Sequence, residues 1–292
     1  MGGTEIAMVL ASALLHAAWS VSIKGARDPL AFNFAQTVAQ LGICMALLPF
    51  LSLRDVPAGA WWLLAGAGLA HGLYFWFLGR SFQTAELTLA YPIIRSTPAF
   101  LPLAAVPLLH ERLSLPGAAG IAVVVGGIWA IQAEGGLRGA LRAPGIGYAW
   151  LTLGTGVAYS LADKSGVTAL QAGGGAGALP PSLAWFCLTG FAMTAVFWPI
   201  AWRGIPRAAL AHAVRREAGR AALTALASLA GYGLVLEAYR TAPVSYVVAV
   251  RQTSVLFTAG IAILLLGERP SGRRLFGAAA TVAGVALIAW GG

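Results

Sequence analysis

The sequence predicts an all-α integral membrane protein of ten transmembrane helices, arranged as two inverted repeats of five. Three observations lead there: an apolar composition, regularly spaced charged and Gly/Pro-rich punctuation, and a collinear duplication between the two halves. Of 292 residues, 59% are hydrophobic and only 10% are charged, and the mean hydropathy is +0.78. A soluble domain of this length has no interior large enough for that much apolar surface. A bilayer core needs about 20 apolar residues per helix, and the chain supplies such stretches from end to end.

The punctuation places spans near 5–24, 31–52, 60–79, 87–108, 115–133, 146–168, 182–202, 221–239, 244–266 and 275–290. Helix is the required conformation, because backbone groups in lipid must be satisfied within the segment. The alternating pattern of a transmembrane barrel strand is absent. The first span begins at Ile6 with no basic run before it and continues through Ser20 and Lys24, so it reads as a membrane helix and not as a cleaved signal. Loops are short, apart from a Gly-rich one from Gln171 to Pro181 and an arginine-rich one from Arg203 to Arg220.

A net charge of +9 would suit nucleic acid in a soluble protein. Here the arginines lie mainly between apolar segments, where they anchor loops at anionic headgroups. Membrane lipid and a small molecule are therefore the expected partners, and nucleic acid is not. The loops after spans 1, 3, 5, 7 and 9 hold most of the Lys and Arg, among them Arg80, Arg138, Arg142, Arg203 and Arg273. By the positive-inside rule both termini then face outward. Cys44 and Cys187 fall within apolar segments, where they act as small hydrophobes and support neither a disulfide framework nor a metal site. No cofactor is expected.

The duplication assigns residues 1–137 to a first repeat and 145–292 to a second. Ala18-Trp19-Ser20 with Lys24 recurs 140 residues later as Ala158-Tyr159-Ser160 with Lys164. Arg95 matches Arg251 at an offset of 156, and Glu111-Arg112 matches Glu268-Arg269 at 157. Gly120 and Gly127 match Gly277 and Gly284 at that same offset. Five helices is an odd number, so the second copy enters the membrane from the opposite side. Secondary carriers built this way hold their substrate near the midplane, between the repeats.

The residues that carry the duplication resemble the EamA-type carriers of the drug/metabolite transporter superfamily. LLHAAWSVSIKGARDP (Leu14 to Pro29) looks like that family's opening signature. AYPIIRSTP (Ala90 to Pro98) and LLHERLS (Leu108 to Ser114) resemble its fourth helix and the following loop. APVSYVVAVRQTSVLF (Ala242 to Phe257) and LLGERPS (Leu265 to Ser271) resemble the second copy. The resemblance covers nearly the whole chain and implies a ten-helix alternating-access carrier, commonly an exporter of amino acids or other small metabolites. Ser20 stands after Trp19 where the family commonly has Asn.

A charged side chain inside an apolar helix costs about 2.5–3.5 kcal/mol on insertion scales, so it needs a partner or a task. Arg95 and Arg251 are the prime cases, lying about 12 Å into span 4 and about 9 Å into span 9. Either they clamp an anionic group through bidentate hydrogen bonds, or they pin broken helices and gates, or they snorkel. Pro92, Pro98, Pro102 and Pro107 tend to kink span 4. Tyr91 shares a face with Arg95 and so borders the same space.

Span 1 carries a polar stripe of Ser12, His16, Ser20 and Lys24 flanked by Trp19, and span 6 a similar one of Thr152, Thr155, Tyr159 and Asp163. Small hydroxyl residues on such stripes often serve as interhelical glue. The substrate-binding set read from this pattern is Arg95, Arg251, Tyr91, Trp19, His16, Tyr159, His71 and Gln252. Tyr74 and Tyr232 are further polar candidates. If transport is proton-coupled, the titrating group comes from His16, His71, Asp163 and Glu237. The structural alternative pairs Glu237 with Arg240 or Arg251, and Asp163 with a neighbouring lysine. The repeated Glu-Arg loops would steady the following helix start or hold the loop.

These features point to a secondary transporter in the cytoplasmic (inner) membrane, multi-pass, exporting a small anionic or zwitterionic metabolite such as an amino acid. The alternative is a lipid or lysolipid flippase with a phosphate-binding arginine pair. An enzyme is disfavoured, since no H-E-x-x-H, G-x-S-x-G, P-loop or acidic metal cluster occurs. A channel would need a continuous polar lining, and the polar residues here are isolated patches.

Overall fold

The computed structural model describes residues 1–24, 26–85, 87–132, 145–266 and 271–291. The residues Arg138, Arg142, Glu268 and Arg269, which entered the loop and repeat readings, lie outside them. Every regular element described is helical: α1 (Gly3–Lys24), α2 (Pro29–Leu47), α3 (Ala58–Thr84), α4 (Leu87–Ile94), α5 (Thr97–Leu109), α6 (Leu115–Gln132), α7 (Ile146–Ala172), α8 (Pro181–Gly204), α9 (Arg207–Arg216), α10 (Ala218–Tyr239), α11 (Val244–Arg251), α12 (Ser254–Leu266) and α13 (Gly272–Gly291).

Six spans are long and apolar enough to cross a membrane by length and composition: Pro29–Phe50, Ala58–Thr84, Ala90–Leu109, Pro181–Gly204, Ala218–Tyr239 and Gly272–Gly291, with the shorter apolar Leu115–Ile131 beside them. The surface is that of a multi-pass membrane protein, since Trp62 (83% exposed), Leu115, Leu223 and Phe276 face outward while Asn33, Gln36 and Asp163 are buried. An outward apolar surface of that extent fits lipid as solvent.

Two sequence expectations are corrected in detail. The arginine-rich stretch is not all loop: Arg207–Arg216 forms α9, which buries Leu210 and Ala213 and leaves Arg207, Arg215 and Arg216 exposed. Spans 4 and 9 are each two helices. The first break falls at Arg95–Ser96, between Pro92 and Pro98. Pro98 has no N–H to offer the carbonyl of Ile94, and the Thr97 hydroxyl takes it instead at 3.1 Å. The Ser96 hydroxyl likewise donates to the Pro92 carbonyl at 2.7 Å. The second break, at Gln252–Thr253, has no proline within it. There the Thr253 N–H and hydroxyl both turn back to the Val250 carbonyl.

Helix ends are tied down by side chains. Asp28 accepts from the Leu30 and Ala31 N–H groups at the start of α2, with Pro29 in the first turn, a strong N-terminal arrangement. Glu111 caps a helix as well, but not the one that follows it in sequence. After α5 ends on left-handed His110 (φ 53°), the Glu111 carboxylate accepts from the Val244 and Ser245 N–H groups and the Ser245 hydroxyl, at the start of α11 in the other copy.

The two copies meet about a two-fold relation visible in the packing. α6 and α13 run antiparallel in close contact. A Cβ on Gly120 would meet the Gly284 carbonyl at 2.6 Å, and one on Gly127 would meet the Gly277 carbonyl at 2.7 Å. Since Gly120 and Gly127 correspond to Gly277 and Gly284, each glycine faces the counterpart of the other. Another pair of contacts follows the same exchange: α1 packs along α10, and its counterpart α7 packs along α3. Cys44 of α2 and Cys187 of α8, both buried, are free thiols.

Candidate functional site

Two adjoining cavities open inside the bundle. His16, Trp19, Tyr74, Tyr159 and Arg251 line both, so together they form one chamber with a shared waist. All eight residues of the sequence-derived set lie on its walls: His71 in the first cavity, Tyr91, Arg95 and Gln252 in the second, and the other four in both.

The two arginines stand at the broken helices and differ in how they are held. Arg95, 7% exposed, donates to Gln252 Oε1 (3.2 Å), Ser254 Oγ (3.1 Å), Ser20 Oγ (3.2 Å) and Tyr91 Oη (2.6 Å), and its guanidinium lies 4.8 Å from the Tyr91 ring centroid. Arg251 meets His16 Nδ1 at 3.3 Å and lies 5.1 Å from the Tyr232 ring centroid, while its buried Nε has no hydrogen-bond partner. Neither has a carboxylate partner among the described residues. Among the described residues the two guanidiniums are thus met directly by neutral groups, an arrangement that attracts anions.

Aromatic rings build the rest of the waist. His16 stacks on Trp19 (4.9 Å between centroids, 17°), and Trp19 Nε1 donates to Gln36 Oε1 at 3.0 Å. His71, also of the first copy, stacks on Tyr159 of the second (4.3 Å, 15°), with Tyr74 edge-on to Tyr159. Trp19 and Tyr159 are sequence counterparts, and each carries a stacked histidine.

Asp163 is fully buried and lies behind this wall. It accepts from Trp185 Nε1 at its Oδ1 (2.8 Å) and from Tyr232 Oη at its Oδ2, and His71 Nε2 lies 2.8 Å from Oδ2. The pairing of Asp163 with a lysine is thus corrected. The adjacent Lys164 points about 100° around the helix and caps α10 through the Tyr239 and Ala242 carbonyls. Gly166 makes the arrangement feasible, because any Cβ there would collide with the Trp185 ring. Glu237 pairs with Arg240 at the end of α10 and lines neither cavity. Thr152 and Thr155 bond their own helix backbone and not a neighbour.

Sequence reasoning missed Gln40, Thr189, Ser228 and Trp185. Gln40, Thr189 and Ser228 line the first cavity and have no charge or repeat to mark them. Trp185 was hidden in an apolar run.

The sequence matches the EamA-like transporter family over residues 3–132 and again over 164–290. The chain belongs to the EamA-like transporter family. The two EamA matches fall one on each copy, so the duplication read from scattered residues is that of the family's own unit. A solved structure titled "Crystal structure of protein" is similar in fold, with a TM-score of 0.72 at 16% identity, covering 98% of this chain and 96% of that one. A search of the curated proteins finds no match.

Proposed function

We propose that this EamA-family membrane transporter is a secondary carrier of a small anionic or zwitterionic metabolite, such as an amino acid, working by alternating access. The observation that carries it is the pair of guanidiniums, Arg95 and Arg251, set at the breaks of two helices, facing one chamber without a carboxylate partner among the described residues. Arg251 is the better placed to take the substrate's anionic group, since its Nε is unsatisfied. Trp19, Tyr91 and Tyr159 form the walls. Arg95 binds the break in one copy to the break in the other and orients the site.

Ten crossings result when α4–α5 and α11–α12 each cross as one broken helix and α9 lies at the surface. Rocking of the repeats about the chamber would expose it to each side in turn. The loop charges favour both termini outside, in the cytoplasmic membrane, with net flux outward.

A thermal-shift screen of the purified protein against amino acids, organic acids, phosphorylated metabolites and lysolipids tests the reading, because a ligand of the folded state raises its stability. Stabilisation by a soluble anion or zwitterion, lost in Arg251→Ala, is the expected result. Stabilisation by lysolipid alone would replace the carrier with a flippase, and a soluble hit unchanged in Arg251→Ala would remove the arginine from the site.

A further inference from the structure

We propose that His71 couples transport to protons by binding either a proton or the ammonium group of a zwitterionic substrate, never both. The inference rests on the carrier reading above, with the substrate's carboxylate held at Arg251.

The geometry of Asp163 is the starting point. Its two oxygens meet three donors, from Trp185, Tyr232 and His71, and the side chain is 0% exposed. With the His71 hydrogen on Nε2, all three neighbours donate to Asp163, and no ligand reaches it. What reaches the chamber is His71, 13% exposed. With Nε2 committed to Asp163, the remaining Nδ1 has no hydrogen-bond partner among the described residues.

Neutral His71, carrying its hydrogen on Nε2, presents the Nδ1 lone pair to the chamber, and an ammonium group donates to it. Once Nδ1 takes a proton, the ring becomes an imidazolium with Asp163 as its counter-charge, and the same position offers a positive N–H. Ammonium is then refused.

The groups facing His71 from each packed element are Asp163 and Tyr159 of α7, Tyr232 of α10 and, across the shared waist, His16 of α1 and Arg251 of α11. Asp163 is the sole acid among them. Tyr232 joins the two ends of the site. The His71 and Tyr232 ring centroids lie 5.7 Å apart at 87°, Arg251 lies 5.1 Å from the Tyr232 centroid, and the Tyr232 hydroxyl sits on Asp163. An amino acid lying along this ring would meet a cation at its carboxylate and a lone pair at its ammonium. Its arrival expels one proton from Nδ1 to water, and by linkage protonation expels the amino acid. A carrier with that exclusion is an antiporter, which an inward proton gradient drives toward export.

The test uses the full chain in vesicles with a radiolabelled mixture of amino acids, and with the N-acetylated mixture as a control that lacks the ammonium group. Wild type should exchange amino acids across the membrane and accumulate them several-fold faster when the interior is acid. His71→Gln, which keeps an amide donor for Asp163 but does not titrate, should exchange them at a reduced rate that no longer responds to the gradient. The N-acetylated mixture should be indifferent to the gradient in both. A gradient response that survives in His71→Gln, or its absence in an exchanging wild type, overturns the coupling and leaves the carrier standing. Loss of exchange in both His71→Gln and His71→Asn at unchanged melting temperature makes the residue a wall of the site and also overturns it. No exchange in wild type overturns the carrier reading, and this inference with it.

Discussion

Arg95 donates to Gln252 Oε1 at 3.2 Å, joining the break in one copy to the break in the other. Its counterpart Arg251 makes no such bridge among the described residues, where it meets His16 and the face of Tyr232. Equivalent residues thus hold different posts, one structural and one open to the chamber. Arg95→Ala should lower stability by about 2–4 kcal/mol, because four polar partners lose a donor in a buried setting. Arg251→Ala should cost less than about 1 kcal/mol. Melting in detergent decides it, and equal losses in the two variants would sink the distinction.

The glycine seam gives a sharper test of the architecture. In Gly127→Ala the new methyl group meets the Gly277 carbonyl and the backbone of Thr281, neither of which can swing aside as a side chain does. A loss of about 1–3 kcal/mol is expected. Gly126→Ala, next to it but with open space around its Cβ, should be neutral. A neutral Gly127→Ala in the same melting series would mean that α6 and α13 do not meet this closely.

Glu111 provides the N-terminal cap of α11 across the repeat boundary. Glu111→Ala should cost about 1–2 kcal/mol, as loss of an N-terminal cap does, and Glu111→Gln, which retains an acceptor, should cost less. Slower hydrogen exchange at Val244 and Ser245 in the wild type than in Glu111→Ala is the local signature. Equal protection in the two proteins would count against the cap.

Trp185→Phe removes one of the three donors to Asp163 and should cost about 1–3 kcal/mol, the range for a buried acceptor losing a partner. Gly166→Ala should produce a similar loss by pushing the indole away, with a shift in tryptophan emission that Trp185→Phe abolishes. An unchanged spectrum in Gly166→Ala would show that the indole is not seated against α7.

Periodicity and duplication made the helical fold legible, because lipid leaves the backbone few alternatives and the copies repeat the same polar and glycine landmarks. The chamber was legible as far as charge, aromaticity and histidine mark a membrane helix, which is how Arg95, Arg251, Trp19 and His71 stood out. What the sequence concealed depended on direction around a helix. Asp163 and Lys164 are neighbours in the chain but face different surroundings, so the carboxylate's partner is His71, 92 residues away. The break at Gln252 had no proline to announce it, and the helix in the arginine-rich loop was masked by its low hydrophobicity. Glu111 was read as a local cap because its reach across to the other copy appears only once the repeats are folded together.

The pairing of Gly120 with Gly284 and Gly127 with Gly277 has a meaning for ancestry. A surface in which each element meets the image of its partner is self-complementary, the defining property of an isologous contact. A single five-helix unit inserted in both directions would carry everything needed to build this seam with a second copy of itself. Fusion into one chain would preserve that homodimeric contact while leaving the two halves free to differ elsewhere, as Arg95 and Arg251 do.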